Sequence, residues 1–581
     1  MAWRGLDKIL IFLLLGVVDV HARGHTVELC RNIQLETEEP VALSASERKL
    51  ACGDPGTPAW SQVPYEQAAY FLRSFLHDRG YHSASHRLVG GKLVVESGPL
   101  SLVREVQVDG APFAIEPERY WKVYGRPLTP AALDDLTQWL KTQLGAAGYP
   151  CAEVDLRAGP ETGVVAVTIT DAHPITMPRI EADRIPGVHG EIQKRYYALR
   201  EGDPYDAMKL DLASRRMVGD EVVLSTSFIT QCAADGRSVQ IEQRLVPGEP
   251  RLVAAGVGFD TEELGIVFGS WKHARLGEQA SRLSVSARAS FRRQEARLLF
   301  DWYYAPIVTR HFLRETLTVT REHERRYETR SYKLQAGPAW TRDAGDWFSE
   351  LWAGAAFQQT ATVRGVGPEM SRELLMEAAL ALRTHDFEYY AMAPRSGLSF
   401  GLELQRAKQG VASDISATRG ALSGTALWTL FGLDPPVWVL GLRTELVATS
   451  LDPESDPEDL PPSMRNSLGG SRDLRGFGRK AIPPTDQGAL TTAYLGAEAR
   501  VNEVLPFKLQ PIVFFDLGKI GEVGGDLDRE LFWSPGAGIN WQSPVGTVRA
   551  TLAHGFIDGP RRDDWEHLSR WQLFLSYGEQ F

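Results

Sequence analysis

Residues 451–489 form a long stretch rich in Pro, Asp and Ser. Loops of that length inside folded domains are functional or disordered. Within it stand Leu474-Arg475-Gly476-Phe477, preceded by Gly469-Gly470-Ser471. An arginine carried from water into a protein interior needs a carboxylate to offset its desolvation. Its planar guanidinium can engage that carboxylate in two parallel hydrogen bonds. Gly476 would let the backbone pass close to a wall, and Phe477 could pack there. Downstream lie Phe514-Phe515-Asp516-Leu517-Gly518, Gly536-Ala537-Gly538 and Ser543-Pro544-Val545-Gly546-Thr547-Val548-Arg549. The bland alternative is a flexible surface loop with a solvated arginine.

Other chemical motifs carry less. Gly397-Leu398-Ser399-Phe400-Gly401 matches the hydrolase nucleophile elbow, but that motif needs a strand-turn-helix setting. Here Leu402-Glu403-Leu404-Gln405 continues an alternating strand. No Walker sequence, HExxH pair or zinc-type CxxC is present. His77, His82 and His86 span a helix end and a turn and are expected to be solvated. No enzyme activity, metal or cofactor is expected.

The elements that must position Arg475 are strands. From about residue 250 onward, apolar residues alternate with polar or small ones. Val253, Ala255, Val257 and Phe259 share one face; so do Val548, Ala550 and Leu552, and Trp571, Leu573, Leu575 and Tyr577. Period-two alternation with one apolar face fits a soluble sandwich or a membrane barrel, apolar toward lipid and polar toward the lumen. A membrane strand needs roughly 10 residues plus connections, so residues 250–581 hold about 16. The chain closes on Phe581, at the end of an alternating strand.

The front half repeats itself. Leu72, Leu76, Gly80 and Tyr81 recur as Leu140, Leu144, Gly148 and Tyr149. Gly125-Arg126-Pro127-Leu128 with Leu133-Asp134 recurs as Gly202-Asp203-Pro204-Tyr205 with Leu210-Asp211. Thr129 can cap a helix that has Pro130 at its first position. Each unit reads β-α-α-β-β over about 75 residues, too small to bury much core alone. Each also keeps an edge strand able to recruit an extended peptide. The bland alternative is three structural spacers. Cys30 and Cys52 share the first unit and can pair in an oxidising compartment. Cys151 and Cys232 fall in different units; they could pair with each other, but buried thiols are expected.

Length and composition set the frame. The chain has 581 residues and net charge −11, which argues against nucleic-acid binding; 43% hydrophobic residues argue against disorder. Arg4 and Lys8 precede the short apolar run Ile9 to Val18, and Val20-His21-Ala22 offers a cleavage site. Residues 1–22 therefore read as a signal peptide. No later run is long enough for a membrane helix. An exported chain of this kind is soluble outside the cytoplasm or a β-barrel, since a closed barrel satisfies every backbone group in lipid.

Together these motifs resemble the BamA/TamA superfamily, most closely TamA. Its marks are an Arg-Gly-Phe/Tyr tip on the sixth extracellular loop, a Phe-x-Asp-x-Gly strand and a Gly-x-Gly … Pro-x-Gly strand pair. The resemblance implies α+β periplasmic POTRA repeats followed by an all-β, 16-stranded antiparallel transmembrane barrel. The boundaries would be POTRA 1 at 25–99 (divergent, with a poorly defined leading strand), POTRA 2 at 100–173, POTRA 3 at 174–248 and the barrel at 250–581. It implies a loop lock of Arg475, Gly476 and Phe477 against Asp516, with Glu498 as second carboxylate. The strand motifs are Phe514, Gly518, Gly536, Gly538, Pro544 and Gly546. A weak seam would carry Gly256, Gly258 and Tyr577, with Phe581 as terminal signal. The implied function is assembly or translocation in the outer membrane of a Gram-negative-type cell. Partners would be the lipid bilayer, nascent outer-membrane or autotransporter proteins and a TamB-like inner-membrane-anchored protein. The alternatives are a secretion pore for an exoprotein, which usually has two POTRA units and a plug helix, and a passive porin or receptor.

Overall fold

A computed structural model describes residues 25–304, 310–391, 394–410, 412–485, 488–543 and 546–577. The expected signal peptide, Pro544 and Phe581 lie outside the described residues.

Three small α/β units precede a barrel. In the first, β1 (His25–Cys30) and β2 (Ile33–Thr37) form a hairpin, followed by α1 (Ala45–Cys52), α2 (Tyr65–His77), β3 (Ser85–Val89) and β4 (Lys92–Glu96). The sheet runs β1-β2-β4-β3, with β2 parallel to β4. The leading strand that the sequence left poorly defined is β2, whose Ile33, Leu35 and Thr37 alternate inward. Ser44 and Glu47 form a reciprocal capping box at the start of α1. Cys30 and Cys52 are joined, tying α1 to the first strand.

The second unit contains β5 (Glu105–Asp109), α3 (Pro130–Ala146), β6 (Glu153–Gly159) and β7 (Val164–Thr170). The third contains β8 (Ile180–Ala182), α4 (Ala207–Gly219), β9 (Ser225–Cys232) and β10 (Val239–Val246). Their sheets run β5-β7-β6 and β8-β10-β9, so β6 and β9 are edges. α3 starts at Pro130, with the Thr129 hydroxyl accepting the Ala132 N–H. Its Leu136, Leu140 and Leu144 are buried against Val165 and Val167. The first helix expected in each of these units shrinks to a 3₁₀ turn, Pro117–Arg119 and Ile192–Arg195. Pro112 and Pro117 interrupt one segment; Pro186, Gly187 and Gly190 interrupt the other.

One expectation is corrected. Cys151 and Cys232 are not buried thiols but a disulfide between the second and third units, with Cα atoms 5.7 Å apart. Spacing cannot show that two units fold back to bring residues 81 apart together.

The arm docks on one end of the barrel. Trp139 Nε1 donates to Asp434 Oδ2 (2.7 Å) and Trp121 Nε1 to the Pro435 carbonyl (2.8 Å). From α4, Arg216 forks onto Glu388 (2.9 and 2.6 Å) and reaches Asp343 (2.8 Å). Ala280, in a barrel turn, packs into the apolar cluster of Ile185, Ile192 and Met217.

The barrel closes antiparallel from strand Arg251–Asp260 to strand Trp571–Tyr577. Segments Gly546–His554 and Phe556–Asp558 both pair with Leu531–Ser543 and are one strand interrupted at Gly555. Among the described residues this makes sixteen strands. Val253 and Val257 are about three-quarters exposed, as alternating residues of a lipid-facing surface should be.

Strand Arg251–Asp260 is paired along its whole length to Leu264–Leu276. On its other edge, among the described residues, it pairs with the last strand only at Phe259–Tyr577 and Asp260–Ser576. Gly258 lies at this seam, where a Cβ would come 3.0 Å from the Tyr577 carbonyl. Gly256 serves a different neighbour: a Cβ there would meet the Phe268 ring at 2.3 Å, so the glycine makes room for that ring.

Candidate functional site

The sixth loop on the rim opposite the arm, residues 452–490, joins strands Trp438–Leu451 and Thr491–Val501. It folds inward rather than out to solvent, since Leu474, Arg475 and Phe477 have no exposed surface. The loop has few repeating hydrogen bonds of its own. It is pinned by short bridges, Asn466 with Ala489 and Leu468 with Ile482.

Arg475 is held from several sides. Its Nη2 and Nε donate to Asp516 Oδ1 and Oδ2 at 2.8 and 2.9 Å. Its backbone N–H donates to Oδ2 as well, at 3.2 Å. Its Nη1 donates to Glu498 Oε2 at 2.7 Å. The guanidinium lies 3.4 Å from the centre of the Phe514 ring, a cation–π contact on its open face. The two strands that supply these groups are adjacent: Gly496 pairs with Asp516, and Glu498 with Phe514. Positions two apart on one strand share a face, so Phe514 and Asp516 point inward together.

The strand glycines make this possible. A Cβ at Gly518 would meet Leu474 Cδ1 at 2.5 Å, and one at Gly536 the Phe514 ring at 2.3 Å. One at Gly538 would meet the Ala550 carbonyl at 2.4 Å. Gly546 opens its strand opposite Ser543, with φ at +141°. Phe477 seats edge-on against Phe532, which stacks on Trp565.

The sequence missed several members. The Tyr494 hydroxyl donates to Asp516 Oδ1 (3.1 Å), and Arg549 Nη2 to Glu498 Oε2 (3.1 Å). Gly555 lies under Gly476. Tyr494, Gly496 and Glu498 occupy alternate positions of one strand, a signal that could have placed the tyrosine. Arg549 is within the quoted Pro-x-Gly segment; its link to Glu498 needed the barrel's curvature. Among the described residues no group of three or more His, Cys, Asp or Glu could hold a metal. The serine of the elbow-like motif, Ser399, sits in strand Gly397–Ala407 opposite Thr425.

A buried cation facing two carboxylates can hold a loop in place. A closed antiparallel barrel with such a luminal loop and an α/β arm defines an outer-membrane barrel of the assembly and translocation class. The Omp85 superfamily domain matches residues 284–577. The chain belongs to that superfamily. BamA of Haemophilus ducreyi lacking POTRA domains 1–3 superposes with a TM-score of 0.50 at 14% identity, covering 82% of this chain and 99% of that one. That share exceeds the barrel alone, so the likeness of fold reaches into the arm. CdiB of Escherichia coli gives a TM-score of 0.46 at 13% identity (93% and 100% covered), and CdiB of Acinetobacter baumannii 0.44 at 13% (83% and 90%).

Proposed function

We propose that this protein assists insertion of substrate proteins into the outer membrane in the manner of TamA, with the arm in the periplasm and the seam as the gate. The observation that carries the reading is the seam itself. Among the described residues, strand Arg251–Asp260 is bonded along its full length on one side and only at Phe259 and Asp260 on the other, where the described part of the last strand ends at Tyr577. A strand edge with free N–H and C=O groups is a template for another strand. In a barrel wall that template faces lipid, where an incoming strand gains all the hydrogen bonds it would otherwise lack.

The arm supplies a first station. Edge strands β6 and β9 each have one bonded neighbour in their sheets and can accept an extended segment. A nascent barrel or autotransporter segment, or a TamB-like partner reaching across the periplasm, is the expected occupant. No cofactor or nucleotide enters; the driving force is the folding of the substrate. The luminal loop locked by Arg475 keeps the lumen from being an open pore, which fits an assembly factor better than a porin.

The test is reconstitution. Full-length protein in liposomes should accelerate insertion of an unfolded client barrel, and a disulfide placed across Phe259–Tyr577 should abolish that gain until reduced. Steady open conductance with no acceleration, from protein that is fully folded, would turn the reading to a passive pore.

A further inference from the structure

We infer that the outer wall of the barrel carries a groove for a phosphorylated lipid of the outer leaflet. The groove lies on strands Arg293–Trp302, His311–His323, Glu328–Ala344, Trp347–Arg364 and Met370–Thr384. The second and third of these turn at residues 324–327, on the rim of the sixth loop. There Glu324 accepts from Arg479 Nε (2.9 Å) and Glu322 from Lys480 Nζ (2.6 Å). That rim meets the outer leaflet when the arm is in the periplasm, and to this extent the inference rests on the orientation proposed above.

Val319 and Tyr332 pair across the ladder and are 50% and 41% exposed on the outward face. Period-two alternation puts Arg321 and Arg330 on that face too. The ladder carries it across to Gln294 and Ala296 on one side, and to Gln359, Ala361 and Met370 on the other. A hollow of about 460 Å³ opens among these side chains. It exists because Ala296 and Ala361 are short beside Tyr332, Met370 and the arginines. Its polar tips satisfy one another: the Tyr332 hydroxyl donates to Gln359 Oε1, and Gln359 Nε2 to Met370 Sδ at 2.8 Å. Below the row of Gln294, Arg321 and Arg330 the surface is therefore apolar. It continues into Leu298, Leu317 and Leu334, which are adjacent in register and all exposed.

Four charged residues line the hollow, and three are paired. Arg288 and Glu295 alternate to the inner face, where they meet Glu263 (2.6 Å) and Arg293 (3.0 Å). Arg321 donates to Glu328 (3.0 Å), which also serves His323 (3.2 Å). Arg330 has no side-chain hydrogen bond or ion pair among the described residues, although Glu328 stands two places along its own strand. It sits directly opposite Arg321 in the ladder. Like charges so placed repel one another. A phosphate between them would accept paired N–H donors from the two guanidiniums. From the rim toward the middle of the wall the order is cation, then apolar hollow, then leucines. That is the order of headgroup and acyl chain in an outer-leaflet lipid, so a lipid, not free phosphate, is the occupant that fits the whole site.

The test uses full-length protein in nanodiscs of phosphatidylcholine with bisphosphorylated lipid A, and reads retained lipid by native mass spectrometry. One lipid A should be retained per barrel. R330Q should weaken retention at least about tenfold, as should removal of the phosphates from the lipid. A361W, which fills the hollow and leaves every charge in place, should weaken it to a similar degree. Both substituted side chains face outward, so the heat-modifiable gel mobility of each variant should match the parent protein. Undiminished retention by folded R330Q, or equal retention of the dephosphorylated lipid, overturns the proposal. So does undiminished retention by folded A361W, which would mark a phosphate site with no place for an acyl chain. Lipid retention and client insertion are read separately, so failure of this site leaves the proposed gate standing, and failure of the gate leaves this site standing.

Discussion

Gly476 and Gly555 lie backbone against backbone. A Cβ on the first would sit 2.5 Å from the amide nitrogen of the second, and a Cβ on the second 2.5 Å from the carbonyl oxygen of the first. Gly555 is also the residue at which its strand is interrupted, between His554 and Phe556. The loop tip and the break in the wall are thus one feature. A methyl group at either position forces the same two backbones apart. G476A and G555A should each lower stability by about 1–3 kcal/mol, the usual cost of overpacking. The double variant should cost less than their sum, because one displacement relieves both clashes. Denaturant unfolding of the barrel measures this; strict additivity would show that the two chains move independently.

The Arg475–Asp516 pair is the second place to press. Both side chains are fully buried, so R475A leaves Asp516 and Glu498 without their shared cation. A loss of about 3–5 kcal/mol is expected, as for other buried pairs broken on one side. R475K keeps the charge but not the fork, and should recover only part of the loss. Arg475 and Asp516 substitutions in a double-mutant cycle should show coupling beyond 0.5 kcal/mol, the scale for residues in contact. Additive effects would mean that the fork contributes nothing specific.

Much of this was legible for a simple reason. Alternation along strands follows from the period-two geometry of the backbone, so Val253, Val257 and Leu573 mark an apolar sheet face without any tertiary information. That Arg475-Gly476-Phe477 and the strand from Phe514 to Gly518 meet was legible through the family resemblance that these motifs carry, not through their spacing alone. What stayed hidden depends on curvature and docking. Gly555 is one strand glycine among many until the loop tip packs against it. Gly256 reads as a seam weakener but makes room for Phe268, because which neighbour a strand glycine serves is set by register. Cys151 and Cys232 needed the angle between two units, which no local pattern encodes.

The first unit should respond to acid through Glu47. Its carboxylate accepts from Arg79 at 2.8 Å and from the Ser44 N–H at 2.7 Å. The hydrogen bond from Arg79, foremost, holds its pKa down at about 2, from an ordinary 4.5. A depressed folded-state pKa contributes stability that is complete above the unfolded value and is lost as the proton binds. The contribution should therefore be intact above about pH 4.5 and disappear as pH falls toward 2. Pepsin cleavage within residues 25–99, followed over that range, should accelerate on acidification in the parent protein. E47Q should cleave faster at pH 4.5 and show a flatter profile. Identical profiles would show that this contact does not govern the unit's acid response.

The Cys151–Cys232 bond should govern how far the arm can move. The second unit is tied to the third by this disulfide and to the barrel by Trp139–Asp434 and Trp121–Pro435. The third is tied to the barrel by Arg216 with Glu388 and Asp343. The second unit is thus restrained covalently by the disulfide and non-covalently at the barrel turns. Removing only the disulfide (C151S/C232S) leaves the tryptophan contacts, so the second unit should stay docked. Removing only the Asp434 carboxylate (D434A) leaves the covalent tie, so the hinge should stay fixed. Removing both should loosen the second unit, then held at the barrel by Trp121 on Pro435, Lys122 on Glu503 and the Asp434 N–H on the Arg119 carbonyl, while the third remains in place. Spin labels on α3 and on the adjacent barrel turn report this directly. A narrow distance distribution is expected in the parent protein and both partial variants, and a broad one in the combination. Client insertion should be most altered in that combination as well, if edge strand β6 must swing toward or away from the barrel mouth. A broad distribution already in the oxidised parent protein would show that neither tie fixes the arm.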